Sequence, residues 1–159
     1  VGPLVDQASV DRMQRQVDDA VAKGATVALG GHRPTGPEYD KGFFFAPTVL
    51  TDVTPEMDIY REETFGPIAA VTVFDEQDDI VAMANDTDYG LASYLYTNNL
   101  SRAVRISEKL QFGMIGINDI NPTSAAAPFG GIKESGLGRE GAAEGINEYL
   151  DTKLIGLSV

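Results

Sequence analysis

The chain has no cysteine among its 159 residues. That absence excludes disulfides, zinc-thiolate sites and a thiol nucleophile from this stretch of sequence. Histidine is nearly as scarce. His32 stands alone in the loop GGHRPTG, so no multi-histidine metal site can be assembled, no metal is expected, and the ring reads as solvated surface. Basic side chains are few: 12 Lys and Arg face 24 Asp and Glu, for a formal charge of -12. A surface of that sign repels phosphate backbones and anionic bilayers, so neither nucleic acid nor a membrane is expected as a partner. Long apolar runs are missing too, none approaching the roughly 18 residues of a span. The opening VGPLVDQASV lacks the basic and apolar segments of a signal peptide, and a cytoplasmic location is the expectation. The chain opens on Val1 and enters helical periodicity almost at once, as an excised piece of a longer protein would.

What is present suits an ordinary folded protein. Apolar residues make up 43% of the chain, enough for one compact unit with a real core. In VDRMQRQVDDAVAKG, the residues Val10, Met13, Val17, Ala20 and Val21 form one stripe at helical spacing, with Asp6 or Ser9 as N-cap and Gly24 as the stop. ATVALGG reads as a short strand and HRPTGPEYDKG as an exposed loop. FFFAPTVLTDV is apolar and β-branched, with Pro47 favouring an edge or an irregular stretch.

From residue 68 the rhythm becomes regular: strand IAAVTVF, helix QDDIVAMANDT with Ile80, Met83 and Ala84 inward, strand ASYLYT, helix SRAVRISEKLQ, strand MIGI. Apolar strands joined by helices imply an α/β fold, with parallel strands buried on both faces. After Asn118 some two dozen residues, NDINPTSAAAPFGGIKESGLGREG, read as a long loop, functional or disordered. The end, AAEGINEYLDTKLIGLSV, is a short helix pattern followed by an extended run that needs a strand partner, in another chain or in sequence outside this one.

Several motifs have a structural and a functional reading side by side. GLGREG matches G-x-G-x-x-G through Gly136, Gly138 and Gly141, but the dinucleotide fingerprint must follow a strand and open a helix, and GIKES is a poor strand. NDT at Asn85 and NLS at Asn99 match the glycosylation pattern by accident when no secretory signal accompanies them. In REETFGP, Glu62 and Glu63 precede a strand: an acidic turn closed by Gly66-Pro67 explains them, and so does a carboxylate accepting paired hydrogen bonds from a diol beside the apolar wall of Phe65. Glu140 reads as a helix-start residue, favoured there by the helix dipole. Thr123, Ser124 and Phe129 would suit a small polar substrate, or be plain loop chemistry.

Taken together, REETFGPIAAV, NDTDYGLASYLYT and PFGGIKESGLGREG ending in EYLDTK resemble the C-terminal portion of the NAD(P)-dependent aldehyde dehydrogenase superfamily. The similarity runs over essentially the entire chain with the motifs in family order, and SGLGREG followed by EGINEYLDTK is most similar to succinate-semialdehyde dehydrogenases and related semialdehyde or lactaldehyde oxidisers. The resemblance implies an aldehyde dehydrogenase-like catalytic domain, mostly parallel sheet flanked by helices, over residues 1–147, and an oligomerisation strand over residues 148–159. It implies NAD or NADP as cofactor, a small aldehyde as substrate and a homo-oligomer, dimer or tetramer, as the assembly. By the same resemblance Glu63 binds the nicotinamide ribose hydroxyls and Phe65 packs near the nicotinamide. Phe129 lines the aldehyde pocket, Glu140 takes part in proton relay or water placement, and Thr123 with Ser124 holds the distal carboxylate of a semialdehyde.

In that family a cysteine attacks the aldehyde, hydride passes to the cofactor, and a glutamate activates the water that hydrolyses the thioester. Those groups precede the region that this chain resembles, so the chain alone is expected to be inactive. A non-catalytic assembly module is the competing expectation, and a free-standing nucleotide-binding domain built on GLGREG a third.

Overall fold

The computed structural model describes residues 1–158. Where one compact unit is expected, the packing divides the chain into two, Val1–Asp78 and a second from Asp79 onward.

The first unit is built on α1 (Gln7–Ala22). Asp6 caps it: its carboxylate accepts from the Ser9 amide at 2.7 Å and from the Ser9 hydroxyl at 2.7 Å. A cap of this kind is worth about 1 kcal/mol. Val10, Met13, Val17 and Ala20 are buried as their spacing predicts, whereas Val21 is 48% exposed. Gln16 completes the buried face instead. One step of helical rotation past Ala20 carries residue 21 off the stripe, because four apolar positions already span the contact width.

Against this helix lies a three-stranded sheet in the order β1 (Thr26–Leu29), β2 (Thr48–Thr51), β3 (Ile68–Ala70). β1 pairs antiparallel with β2, and β2 pairs parallel with β3 in the register Thr48 to Ile68. β2 is therefore the central strand, and of the two settings that Pro47 favours, an edge or an irregular stretch, the structure has the second: residues 43–47 are irregular. The proline stands one residue before the ladder, and its missing N–H is never needed there. Thr48, buried in β2, is satisfied on both sides: its hydroxyl donates to the Ala46 carbonyl at 2.8 Å and accepts from the Gly31 amide at 2.8 Å. Phe45, Leu50, Val53, Met57 and Ile59 close the core over α1. Burial of each such large apolar side chain contributes about 1.5–3 kcal/mol relative to exposure. The short α2 (Asp58–Arg61) leads into the segment before β3.

The second unit holds α3 (Ile80–Asn85), β4 (Tyr89–Gly90), β5 (Ala92–Leu95), α4 (Leu100–Ser107), β6 (Met114–Ile117), β7 (Ile132–Lys133) and a 3-10 helix, Gly145–Tyr149. β5, α4 and β6 form the expected βαβ element, with β5 and β6 parallel in the register Ala92 to Met114. β4 and β7 make a short antiparallel pair. Strands expected to be buried on both faces are half-buried or exposed at most positions. Asn85 and Asn99, the residues of the glycosylation-like triplets, both do structural work. Asn99 caps α4 by accepting from the Arg102 amide at 2.9 Å. The Asn85 side chain donates to the Lys109 carbonyl at 3.0 Å and accepts from the Gln111 amide at 2.8 Å.

The expected C-terminal strand has no ladder partner among the described residues. Residues 150–158 lie outside any helix or strand and are exposed, and Val159 falls outside the described residues. No described helix is long and apolar enough to cross a membrane.

Candidate functional site

In the first unit, the segment REETFGP leaves α2 and enters β3, with one face turned to α1. Arg15 of α1 forks between two carboxylates, Nη1 reaching Asp58 Oδ2 at 2.7 Å and Nη2 reaching Glu62 Oε2 at 2.6 Å. This contact holds the Glu62 carboxyl below its usual range, with the Arg15 hydrogen bond as the main cause, and raises the Arg15 guanidinium in return. Beside it, Lys23 pairs with Asp19 at 2.7 Å, and the Asp58 amide donates to Asp19 at 2.8 Å. Both contacts lower the Asp19 carboxyl, the lysine more strongly.

Glu63 is left out of this network. Among the described residues its carboxylate forms no hydrogen bond or ion pair, and it is exposed. Phe65 is 79% exposed and sits at φ 48°, a left-handed conformation that costs a non-glycine residue about 1–2 kcal/mol. The fold therefore presents a free carboxylate and an open aromatic ring two residues apart. A strained residue of this kind is a reason to look for function, since the surrounding structure must impose it.

In the second unit, the long loop doubles back on itself. Phe129 donates its amide to the Glu140 carbonyl at 2.8 Å, and Glu140 returns one to the Phe129 carbonyl at 2.7 Å. Both residues line a cavity of about 660 Å³, together with Leu91, Arg139, Ile146 and Tyr149. Arg139 braces the floor, its guanidinium donating to the Gly131 carbonyl at 2.8 Å and the Gly138 carbonyl at 2.6 Å.

Glu140 is thus not the start of a helix. Gly141 at φ 69° and Ala142 at φ 48° turn the chain out of helical geometry, and the 3-10 helix begins only at Gly145. Nor does GLGREG form a strand-to-helix phosphate turn: it is a loop in which Gly136, Gly138 and Gly141 all take left-handed φ values, 114°, 78° and 69°.

Thr123 and Ser124 lie earlier in the same loop, exposed, and do not line the Phe129 cavity. The Thr123 hydroxyl donates to the Asn121 side-chain oxygen, and Ser124 Oγ accepts from the Ala126 amide at 3.3 Å. Asn118 anchors the start of this loop. Its side chain accepts from the Thr97 amide at 2.9 Å and donates to the Thr97 carbonyl at 3.0 Å. Neither Asn118 nor Arg15 stood out as a site residue in the sequence, because their partners lie 21 and 47 positions away. No three His, Cys, Asp or Glu side chains converge as a metal site among the described residues.

The model of the aldehyde dehydrogenase family matches residues 1–155. The chain belongs to that family. Among its relatives, the probable NADP(+) succinate-semialdehyde dehydrogenase of Sinorhizobium fredii is 50% identical over 155 residues, 98% of this chain and 31% of the relative. The glutarate-semialdehyde dehydrogenase of Pseudomonas putida is 46% identical, over 99% of this chain and 32% of its own length. Among solved structures, succinate-semialdehyde dehydrogenase from Burkholderia pseudomallei superposes with a TM-score of 0.85 at 47% identity, over 94% of this chain and 30% of that one. The α/β fold is that of aldehyde dehydrogenases. The chain spans about a third of the length of the curated relatives it matches.

Proposed function

We propose that this chain is the C-terminal part of an NAD(P)-dependent aldehyde dehydrogenase that oxidises a small semialdehyde, succinate semialdehyde first among the candidates, to the carboxylate. One observation carries the reading: within a chain matched by the family over residues 1–155, Glu63 keeps its carboxylate free of protein partners beside an open Phe65 ring. A free carboxylate can accept two hydrogen bonds from a ribose diol, and an exposed ring offers an apolar wall, so these residues fit the nicotinamide riboside end of NAD or NADP. When bound, that cofactor supplies the hydride acceptor for the aldehyde.

The chain's own residues then have distinct tasks. Glu63 fixes the ribose and Phe65 limits where the nicotinamide can lie. Phe129 gives the cavity an apolar wall for the aldehyde, and the Glu140 carboxylate accepts or passes a proton from water near it. Ser124 offers its hydroxyl proton to the distal carboxylate of the substrate, and Thr123 joins it by turning its hydroxyl away from Asn121. The nucleophile is a different matter. With no cysteine here, the thiolate that attacks the aldehyde has to come from sequence outside this chain, and the 159 residues alone have no dehydrogenase activity.

Incubating the purified chain with succinate semialdehyde and NAD+ or NADP+ should give no reduced cofactor; aldehyde-dependent formation would overturn the reading. In the full-length enzyme, Glu63→Gln should raise the cofactor KM about tenfold with the aldehyde KM little changed, as loss of a binding contact does.

The exposed run Leu154, Ile155 and Leu157 favours a second role for residues 148–159, as an oligomerisation strand between subunits. Removing residues 148–159 should turn the homo-oligomer into monomer or aggregate in size-exclusion chromatography with light scattering.

A further inference from the structure

Helix α1 touches every second residue of the segment that carries Glu63. Arg15 holds the Glu62 carboxylate at 2.6 Å, Arg12 Nε reaches the Thr64 carbonyl at 3.4 Å, and Gly66 lies so close to Met13 that an added Cβ would overlap its sulfur. Residues 62, 64 and 66 are thus fastened to one turn of the helix. Between these fastened positions Glu63 and Phe65 make no contact of that kind with α1: the former is unpaired, and the latter, where the chain turns through a φ of 48°, is open to solvent. The helix end of the contact is rigid: Met13 is fully buried in the core, one residue from Arg12 and two from Arg15. The segment is anchored at its other side as well, because Arg15 also grips Asp58 at the start of α2.

Stability does not account for this arrangement. Arg15 is about half exposed, with a side-chain relative exposure of 49%, and exposed ion pairs contribute little to folding. What a fork between Asp58 and Glu62 does fix is the path of the chain from one to the other, and hence the place from which Glu63 projects. A misplacement of about 1 Å in a binding group is enough to weaken it strongly.

We infer that α1 is the template that holds Glu63 and Phe65 in their cofactor-binding position, with Arg15 as its main positioning residue. This rests on Glu63 being the ribose ligand.

The test uses the full-length enzyme. Arg15→Ala should raise the cofactor KM about fivefold while kcat and the aldehyde KM change less than about twofold. Arg15→Lys keeps the charge without the planar fork and should fall between the parent and the alanine variant. In about 1 M salt, where the Debye length is about 3 Å, the gap between parent and Arg15→Ala should narrow, which a fold defect would not do. Hydrogen exchange should quicken at residues 62–66 in Arg15→Ala. A cofactor KM equal to that of the parent in both Arg15 variants, alongside a raised KM in Glu63→Gln, overturns the template and leaves the ribose ligand standing. An unchanged KM in Glu63→Gln overturns the ribose assignment, and the template with it.

Discussion

The two units of this chain are held together by different means. The first has a closed core: ten buried apolar residues, from Val10 to Ile59, pack between α1 and the sheet. The second has one buried apolar residue among those described, Ala103. Around its half-buried apolar residues, polar side chains stitch loops to the backbone: Asn85 to residues 109 and 111, Lys133 to the carbonyls of Asn85 and Thr87, Ser135 to the Gly90 amide, Asn118 to Thr97, and Arg139 to Gly131 and Gly138. Meanwhile Leu100, Val104 and Tyr94 remain exposed. A unit with exposed amphipathic faces and so few fully buried apolar residues is suited to burying those faces against a further surface.

Core truncation should separate the units most sharply. Leu50 is fully buried in β2, and Leu50→Ala should cost about 3 kcal/mol in urea denaturation, through lost burial and the cavity left behind. Leu100, 79% exposed on α4, should tolerate alanine within about 0.5 kcal/mol. Similar costs at the two sites would mean that the second unit buries α4 in solution, and the contrast would fail.

The reverse test targets the stitching. Asn118 sits at φ 53° and makes two hydrogen bonds to Thr97. Asn118→Ala loses both and forces alanine into the left-handed region, an expected loss of about 2–3 kcal/mol from the two effects together. Asn118→Gly keeps the backbone conformation and isolates the hydrogen-bond share, about 1–2 kcal/mol. Hydrogen exchange at Thr97 and along β5 and β6 reads both. Equal protection in parent and alanine variant would show that the parallel pair does not depend on this anchor.

Much of the first unit was legible in the sequence because helix periodicity and capping are local. Asp6, the Val10 to Ala20 stripe and the stop near Gly24 needed no tertiary information. The β5, α4, β6 element was legible for the same reason. The surroundings of Glu140 were not, since its pairing with Phe129 crosses a glycine-rich loop with no period, and Ala142 takes a left-handed conformation that its residue type does not announce. The residues of REETFGP were visible as a pattern, while the division of labour between its carboxylates was not. An arginine 47 positions upstream decides which glutamate is occupied, and nothing in the spacing of the sequence points to it.

That division gives the smallest effect and the finest test of the contrast. Glu62 is held below its ordinary 4.5 by Arg15, and Asp19 below its ordinary 3.8 by Lys23 and the Asp58 amide. A carboxylate depressed in the folded state adds stability that is fully present above its unfolded pKa and is lost as the pH falls through its folded one. The contacts between α1 and α2 should therefore loosen progressively below about pH 4.5, whereas the amide and carbonyl partners of Asn85 and Asn118 do not titrate in acid. Carboxyl-carbon NMR should show Glu62 titrating below 4.5 in the parent and moving back toward it in Arg15→Ala. Amide protection, taken relative to the intrinsic exchange rate at each pH, should fall with acid in residues 58–64 before it falls at Thr97. A Glu62 titration untouched by the Arg15 substitution would mean that the fork is not populated in solution, and the first unit would then owe its order to the core alone.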